Sequence, residues 1–271
     1  MHNHFDLTGK TALVTGGGGI LGRGFCKALA EYGASVVLVE LSVERAQEAC
    51  EDVLQAIPDA RLIPLACDVA NKDSVKSMVD SAVRAFGSID ILLNNAASKA
   101  EDLNAFFAPF EHYDLDLWRK VMSINIDGAF LVAQAVGAQM VKQGKGGSII
   151  NTSSIYGVLA PDQRIYEGSE YMGVNINTPA VYSASKAALI GLSNYLATYW
   201  ANENIRVNVL SPGGVESGQN ETFKKKYSAR IPLGRMCRDE ELHGAILFLA
   251  SDASSYFTGQ NVMVDGGLSV W

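Results

Sequence analysis

The chain has 271 residues, of which 48% are hydrophobic, and it carries a formal net charge of −7 at pH 7. This length and apolar content are enough for a full hydrophobic core, while the acidic balance argues against nucleic acid or an anionic membrane as the main partner. We find no apolar run long enough to span a bilayer, and residues 1–6 lack the basic and apolar regions of a signal peptide, so we expect a cytoplasmic protein.

The first predicted element is a short β-branched strand, Thr11–Thr15, which leads into four consecutive glycines and then a helical stretch. Glycines have no Cβ atom and let backbone N–H groups approach a pyrophosphate, and the N-terminus of the following helix adds a favourable dipole. Gly17, Gly19 and Gly22 satisfy the G-x-G-x-x-G pattern. The segment indicates a dinucleotide-binding turn, with a merely structural corner as the alternative.

The second predicted strand, residues 35–39, ends at Glu40, which lies 24 residues beyond Gly16. A carboxylate at this place can bind the ribose hydroxyls of adenosine and would repel the 2′-phosphate of NADP. The next residues, Leu41 and Ser42, provide no arginine to receive that phosphate. The strand end therefore favours NAD, with a solvated carboxylate as the alternative.

The rest of the chain alternates short apolar runs with longer amphipathic ones, without a linker rich in proline or serine. This alternation predicts an α/β fold: a Rossmann-type doubly wound parallel sheet of about seven strands, with helices on both faces, in one domain over residues 1–271. Further strands are predicted at 61–65, 89–94, 148–151, 206–210 and Asn261–Val264, and helices at Val43–Ala56, Lys72–Phe86, Leu115–Gln143, 182–201 and 239–250.

Polar residues follow several predicted strands at the point where each strand ends. Because the carboxyl ends of parallel strands meet at one edge of a sheet, these residues predict a binding crevice there, although Asn and Asp also favour ordinary turns. The segments are Cys67-Asp68-Val69, Asn94-Asn95-Ala96-Ala97, Asn151-Thr152-Ser153-Ser154 and Ser211-Pro212-Gly213-Gly214-Val215.

The cysteines and histidines predict neither a disulfide framework nor a metal site. Cys26, Cys50, Cys67 and Cys237 are far apart and form no C-x-x-C pair, and the four histidines have no partners at ligand spacing. We therefore expect reduced, buried thiols and no catalytic metal.

Tyr182 and Lys186 lie one helical turn apart in the predicted helix 182–201. An isolated phenol holds its proton up to a pKa of about 10, and a nearby ammonium would favour the phenolate and lower that pKa toward working pH. The pair has the composition of a general acid/base, although Tyr and Lys also occur at this spacing by chance on many helices.

Together, these motifs resemble those of the short-chain dehydrogenases/reductases of the single-domain, NAD-type group, over essentially the whole chain. The resemblance implies a Rossmann fold and hydride transfer between NAD and a hydroxyl or carbonyl group. The matching motifs are Thr15-Gly16 with the glycine turn, Asp68, Asn94-Asn95-Ala96, Asn125, a strand-end serine, Tyr182-x-x-x-Lys186, Pro212-Gly213 and Asp265-Gly266-Gly267.

The resemblance also implies roles for single residues. Tyr182 exchanges a proton with the substrate oxygen, and Lys186 binds the nicotinamide ribose and stabilises the phenolate. The family pattern Ser-x-x-Gly selects Ser154, with Gly157 three residues later, to hydrogen-bond the substrate oxygen, and Asn125 anchors a water leading to Lys186. The implied cofactor contacts are Gly16, Gly18, Gly19, Ile20, Leu21, Gly22, Glu40, Asp68, Val69, Asn95, Ala96, Ala97, Tyr182, Lys186, Pro212, Gly213, Val215 and Ser217.

The chain departs from the family pattern at two places. Ile20 stands where T-G-x-x-x-G-x-G has its middle glycine, and 28 residues separate Ser154 from Tyr182, whereas relatives have about half that separation. We interpret residues 160–179 as an inserted substrate loop, with an oligomer contact or a surface excursion as the alternative. The candidate substrate residues are Ser154, Tyr156, Arg164, Tyr166, Tyr171 and Asn175.

A second variable segment, residues 216–235, corresponds to the mobile substrate lid of this fold. Its cations could attract a phosphate or carboxylate, although a run of lysines is more often a solvated helix face. These cations are Lys224, Lys225, Lys226, Arg230 and Arg235.

The stretches 154–161, 165–168, 211–215 and 251–254 also resemble a narrower branch of bacterial oxidoreductases that act in flagellin modification and in the biosynthesis of nonulosonic, legionaminic-type sugars. That resemblance implies a sugar or sugar-phosphate substrate. The alternatives are a reductase of 3-oxoacyl thioesters and a protein that binds NAD without turnover. The long helices Leu115–Gln143 and 182–201 resemble those that pair subunits in this family, which predicts a homo-oligomer, a dimer or tetramer.

Overall fold

The computed structural model describes residues 3–98 and 102–271. Its strands agree with the predicted ones to within two residues at most ends, and two short strands are added inside the segment 160–179. The strands are β1 Thr11–Thr15, β2 Ser35–Glu40, β3 Leu62–Ala66, β4 Ile91–Asn94, β5 Gly147–Thr152, β6 Glu170–Tyr171, β7 Val174–Asn175, β8 Ile205–Pro212 and β9 Asn261–Val264. The helices are α1 Ile20–Glu31, α2 Val43–Ala56, α3 Lys72–Phe86, α4 Leu103–Phe106, α5 Leu115–Met122, α6 Ala129–Gln143, α7 Ala180–Tyr199, α8 Glu221–Ser228 and α9 His243–Ala250.

Seven strands form one parallel sheet in the order β3-β2-β1-β4-β5-β8-β9, which confirms the predicted doubly wound α/β fold. The chain moves outward from β1 to β3, returns to pair β4 with β1, and then builds the other half of the sheet. The order reverses between β1 and β4, and crevices for ligands open at such a point beyond the carboxyl ends of the strands.

Each face of the sheet is covered by helices, so the central strands are buried on both sides. One layer packs Phe25 of α1 and Ile246 of α9 against the sheet, and the other packs Met78 of α3 and Val136 of α6. This two-sided burial explains why the strands read as nearly continuous apolar runs instead of alternating ones.

Residues Leu115–Gln143 form a continuous helical segment that is long and apolar enough to cross a membrane by length and composition. The expectation that no such run exists was therefore wrong. The segment lies in the folded layer, where Val132 and Met140 are completely buried against the sheet, and core helices of soluble domains have the same composition. A π-helical turn, Ser123–Gly128, separates α5 from α6.

The segment 160–179 is folded and contacts the lid. Its strands β6 and β7 pair as an antiparallel hairpin, and Tyr171 of the hairpin forms a bridge to Gln219 of the lid. The Lys226 ammonium donates to the Glu167 carbonyl at 2.6 Å. The two variable segments therefore form one unit above the carboxyl edge of the sheet.

Candidate active site

The glycine turn forms a cradle between β1 and α1. Gly16 has a φ of +65°, and the Gly19 amide donates to the Gly16 carbonyl at 3.1 Å, which closes the turn. A Cβ atom on Gly22 would lie 2.0 Å from the Gly16 oxygen, so the helix can approach the turn only without a side chain there. Gly19 caps α1 without a side-chain acceptor, which leaves the first amides of the helix available to an anion.

Ile20 begins α1 and is 54% exposed beside this cradle, while the neighbouring Leu21 packs partly against the core. The turn therefore closes without a glycine at position 20. Gly18 approaches the end of β2 so closely that a Cβ atom there would lie 3.0 Å from Cγ of Glu40. A cradle with no room for a side chain at Gly22, little room at Gly18 and a positive φ at Gly16 fits the pyrophosphate of a dinucleotide.

Glu40 is 8% exposed and lies beneath the glycine turn. Its carboxylate accepts the Gly18 amide at 3.0 Å and the Leu41 amide at 3.2 Å. Arg45, on the first turn of α2, lies 3.9 Å from the same carboxylate. Sequence reasoning looked for an arginine only at the next two residues and missed Arg45, which the N-cap at Ser42 turns back toward the strand end.

Residues after β3 and β4 extend the crevice. The Asn95 side chain donates to the carbonyls of Thr15 and Gly16 at 3.3 Å, and the Thr15 hydroxyl accepts the amides of Asn95 and Ala96. Thr15 was part of the motif quoted from the sequence, but no contact was predicted for it; its hydroxyl joins the end of β1 to the loop after β4. Of the other predicted contacts at this edge, Asp68 and Ala97 are exposed and Val69 is buried.

Asn125 lies in the π-helical turn Ser123–Gly128 that separates α5 from α6. It is 1% exposed, accepts the Ser98 amide at 2.9 Å, and donates to the Ser185 hydroxyl at 3.1 Å. Single π-turns occur often at functional sites. Here the turn directs the side-chain amide of Asn125 toward Ser185, the residue that precedes Lys186.

The two strand-end serines have different environments. The Ser153 hydroxyl donates to the Lys186 carbonyl at 2.7 Å and is fixed against α7. The Ser154 hydroxyl accepts the local amide of Tyr156 at 3.2 Å and lies close enough to Tyr182 to hydrogen-bond its phenol. This geometry selects Ser154, as the family pattern does.

Lys186 is 5% exposed, and its Nζ atom lies 5.9 Å from the ring centre of Tyr182. The ammonium donates to the Thr152 carbonyl at 2.8 Å, and burial lowers the pKa of Lys186 to about 8. Burial raises the pKa of Tyr182, and hydrogen bonding with Ser154 opposes this increase only in part. The prediction that Lys186 lowers the pKa of the Tyr182 phenol is therefore wrong for the protein without cofactor. The ammonium lies over the ring, and desolvation of the phenolate has the larger effect on the pKa.

The predicted cofactor residues after β8 are in contact with two other segments. Gly213 approaches the C-terminal tail so closely that a Cβ atom would lie 2.9 Å from Cα of Asp265, and Pro212 ends the strand. Val215 bridges to Cys237, and the Ser217 hydroxyl accepts a hydrogen bond from Gln219 at 3.1 Å.

Two of the predicted substrate residues form a cluster of phenols with the lid. The Tyr166 hydroxyl contacts those of Tyr156 at 3.3 Å and Thr178 at 2.5 Å, and its ring stacks on Phe223 of α8. Phe223 stacks in turn on Tyr227, whose hydroxyl accepts the Gly214 amide at 2.7 Å. Sequence reasoning missed Tyr227 because nothing local distinguishes it from a core aromatic residue.

The other predicted substrate residues lie farther from this cluster. The Arg164 side chain is 90% exposed and bonds Asp162 through two nitrogens, at 2.8 and 2.9 Å. Tyr171 is half-buried in the hairpin, and Asn175 is exposed at its end. Their roles in substrate binding stay predictions.

Most lid cations already have protein partners. Lys224 lies 2.5 Å from the Glu216 carboxylate, and Arg235 forms two bonds of 2.6 Å to Glu241. Lys225 is exposed to solvent. Arg230 lies 3.8 Å from the nearest carboxylate of the described residues, that of Asp162.

With this geometry established, the chain can be compared with known proteins. A family model described as "Enoyl-(Acyl carrier protein) reductase", one of those for short-chain dehydrogenases and reductases, matches residues 18–269. The chain belongs to the short-chain dehydrogenase/reductase family. As a member of that family it is an oxidoreductase acting on CH–OH groups with a nicotinamide cofactor.

Named relatives of this dehydrogenase/reductase span nearly its whole length. It is 35% identical to the 3-oxoacyl-[acyl-carrier-protein] reductase FabG of Thermotoga maritima, over 97% of this chain and 99% of the relative. It is 34% identical to the NAD-dependent glycerol dehydrogenase of Listeria innocua, over 98% and 96%. Its structure resembles that of a gluconate 5-dehydrogenase from Burkholderia cenocepacia in complex with NADP and tartrate, with a TM-score of 0.85, 33% identity and coverage of 99% and 98%.

Proposed function

We propose that this dehydrogenase/reductase transfers a hydride between NAD(H) and a hydroxyl or carbonyl group of a polar, sugar-like substrate. The observation that carries the proposal is the arrangement of Ser154, Tyr182 and Lys186 at the carboxyl edge of the sheet. Ser153 is bound to the α7 backbone, and Ser154 remains beside the phenol. The glycine cradle, with the open N-terminus of α1, is the proposed site of the pyrophosphate.

The side chains have separate tasks in this mechanism. NAD, when bound, supplies the hydride acceptor and a positive charge near the phenol. Tyr182 takes the proton of the substrate hydroxyl during oxidation and returns it during reduction, while Ser154 donates a hydrogen bond to the same oxygen. Lys186, whose ammonium is held at the Thr152 carbonyl, would bind the nicotinamide ribose. Asn125 acts as a positioning residue, because it ties the loop after β4 to Ser185 next to that lysine.

Two observations support a polyol or sugar substrate. The relatives named above include a glycerol dehydrogenase and a gluconate 5-dehydrogenase. The folded segment 160–179 adds the hydroxyls of Tyr166 and Thr178 next to that of Tyr156, which follows Ser154 by two residues. Hydroxyl groups donate and accept hydrogen bonds and therefore suit a substrate with several alcohols. The narrower branch of nonulosonic-acid biosynthesis remains our finer hypothesis within this class.

A substrate screen tests the proposal. We expect reduced nicotinamide to form when the protein and NAD are mixed with polyols, sugars, sugar acids, sugar phosphates and nucleotide sugars, and absorbance measures it. Acetoacetyl thioesters with NADH and NADPH belong in the same screen, because the FabG relative favours that second function. Turnover of thioesters alone would replace the sugar proposal. NAD binding without turnover on any compound would favour the non-catalytic alternative.

Glu40 is the proposed determinant of NAD preference. In Glu40→Gln, we expect kcat/KM with NAD to fall about tenfold, because a charge-assisted hydrogen bond to the ribose is lost. We expect kcat/KM with NADP to rise, because the repulsion of the 2′-phosphate disappears and Arg45, 3.9 Å away, is released. Initial rates with both cofactors measure the ratio, and Glu44→Gln, which removes an exposed carboxylate on α2 next to Arg45, is the matched control. A ratio unchanged from that of the wild type would refute this role.

We also propose a homo-oligomer assembled through the long helices, in a cytoplasmic enzyme. Exposed aromatic residues lie on these helices: Phe130 is 45% exposed on α6, and Tyr195 and Tyr199 stack on each other on α7 at 62% and 64% exposure. Exposed aromatic groups in a row are typical of protein interfaces.

A further inference from the structure

Arg230, just after α8, is the half-buried cation of the lid that lacks a close partner. Its Nε atom lies 3.8 Å from Oδ2 of Asp162, at the outer limit of an ion pair. Its Nη1 atom is buried and has no hydrogen-bond partner among the described residues. A buried N–H group of a cation without water or an acceptor is costly, and an anion that bound to it would remove that cost.

Asp162 does not complete the coordination of this guanidinium. Its two carboxylate oxygens already accept hydrogen bonds from Arg164, at 2.8 and 2.9 Å, and that side-chain bonding holds the pKa of Asp162 down at about 2. Asp162 therefore stays ionised and committed to Arg164. It compensates the charge of Arg230 only in part.

The surroundings of Arg230 are phenols. Burial raises the pKa of Tyr156, Tyr166 and Tyr227, and the positive charge of Arg230 opposes this increase at all three. Such an influence requires the guanidinium to be near each ring. Phenol hydroxyls donate hydrogen bonds and provide a wall that accommodates a carboxylate or alcohols.

The same phenols connect Arg230 to the reaction centre. Tyr156 follows Ser154 by two residues, and both Tyr166 and Tyr227 interact electrostatically with Tyr182. Arg230 therefore acts electrostatically on phenols that themselves act on Tyr182. A substrate that extends from Ser154 past the phenols reaches the guanidinium with its far end.

We propose that Arg230 binds a carboxylate at the end of the substrate remote from the reacting carbon, so that the substrate is a polyhydroxy acid. This inference rests on the proposed function and specifies its substrate class. A carboxylate matches one guanidinium in charge and shape. A phosphate dianion would be repelled by the ionised Asp162 more strongly than a singly charged carboxylate, because the repulsion grows with the charge of the ligand.

The competing role for Arg230 is to hold the lid to the segment 160–179 through Asp162. Its backbone also takes part in packing, because the Arg230 carbonyl accepts the indole N–H of Trp271 at 2.7 Å, but that bond does not involve the guanidinium. If Arg230 only holds the lid in place, its replacement would weaken the binding of acids and neutral polyols alike. An anion site affects acids alone.

The test compares gluconate, sorbitol and sorbitol 6-phosphate with the full-length protein, by initial rates with NAD and by calorimetric binding to the protein saturated with NADH. We expect the wild type to prefer gluconate. In Arg230→Gln, KM and Kd for gluconate should rise about ten- to a hundredfold, while those for sorbitol stay within about twofold. Arg230→Lys should keep part of the preference for gluconate, since lysine keeps the positive charge but lacks the two parallel N–H donors of the guanidinium.

Two control variants separate the roles. Arg235→Gln removes a lid cation already paired with Glu241 and should leave the gluconate preference unchanged. Asp162→Asn should not reproduce the effect of Arg230→Gln. Equal losses for gluconate and sorbitol, or the same losses in Asp162→Asn, would show a tether and overturn the inference.

The remaining outcomes are also decisive. A loss confined to sorbitol 6-phosphate would overturn the assignment of a carboxylate in favour of a phosphate. If the wild type turns over sorbitol but shows no preference for gluconate, the proposed function stands and the inference fails. If no compound in the substrate screen is turned over, the function fails, and selective gluconate binding lost in Arg230→Gln would still support the site.

Discussion

Replacement of Tyr182 by phenylalanine is expected to lower kcat by about 10²–10⁴-fold, because the substrate oxygen then has no group that exchanges its proton. The ring, its packing and the position of Lys186 are retained, so the affinity for NAD should change little. Rates of reduced-nicotinamide formation give kcat, and fluorescence titration with NADH gives the cofactor affinity.

Tyr256→Phe is the control for this substitution, since the Tyr256 side chain is fully exposed and its loss of a hydroxyl should leave turnover unchanged. Undiminished turnover in Tyr182→Phe would remove the tyrosine from the mechanism. A combined loss of turnover and of NADH affinity would instead indicate that the phenol holds the cofactor.

Replacement of Gly22 by alanine should disrupt both folding stability and cofactor binding. The new Cβ atom would lie 2.0 Å from the Gly16 carbonyl oxygen and 2.8 Å from Cα of Gly17, and both are backbone atoms that cannot rotate away. We expect the free energy of unfolding to fall by about 3 kcal/mol and NAD affinity to fall at least about tenfold, because α1 must move away from the turn. Urea unfolding and NADH titration measure the two effects.

Gly244→Ala is the matched control, because Gly244 is also helical but a Cβ atom there meets nothing within 4 Å. Alanine is a better helix former than glycine, so this variant should be more stable by up to about 1 kcal/mol. If Gly22→Ala behaved like Gly244→Ala, the close contact between the turn and α1 would not be essential.

Several parts of the fold could be predicted from local patterns. The strands β1, β4 and β8 are apolar along their length and are buried on both faces. A continuous apolar run of this kind predicts a buried strand from the local sequence alone. The inner helices are different. Leu115–Gln143 is so uniformly apolar that its composition also suits a membrane, and only its packing against the sheet and α3 gives it a place in the fold.

Parts of the candidate site could be predicted from short motifs and their order along the chain. The glycine turn, Asn125, Ser154, Tyr182 and Lys186 come from different strand ends and helices, and the parallel sheet brings those ends to one edge. The sign of the Tyr182 pKa shift was not predictable. It depends on how deeply the phenol is buried and on where the ammonium points, which spacing along a helix does not determine.

The amino-acid sequence by itself determined the parallel sheet, the order of its elements and the acid/base pair, because periodicity and strand-end chemistry act over a few residues. Only the tertiary structure decided which serine is committed to α7, that Arg45 lies beside Glu40, and that Nη1 of Arg230 is buried without a hydrogen-bond partner among the described residues. Those facts join segments far apart in the chain, and their energies depend on burial and distance, which exist only after the chain has folded.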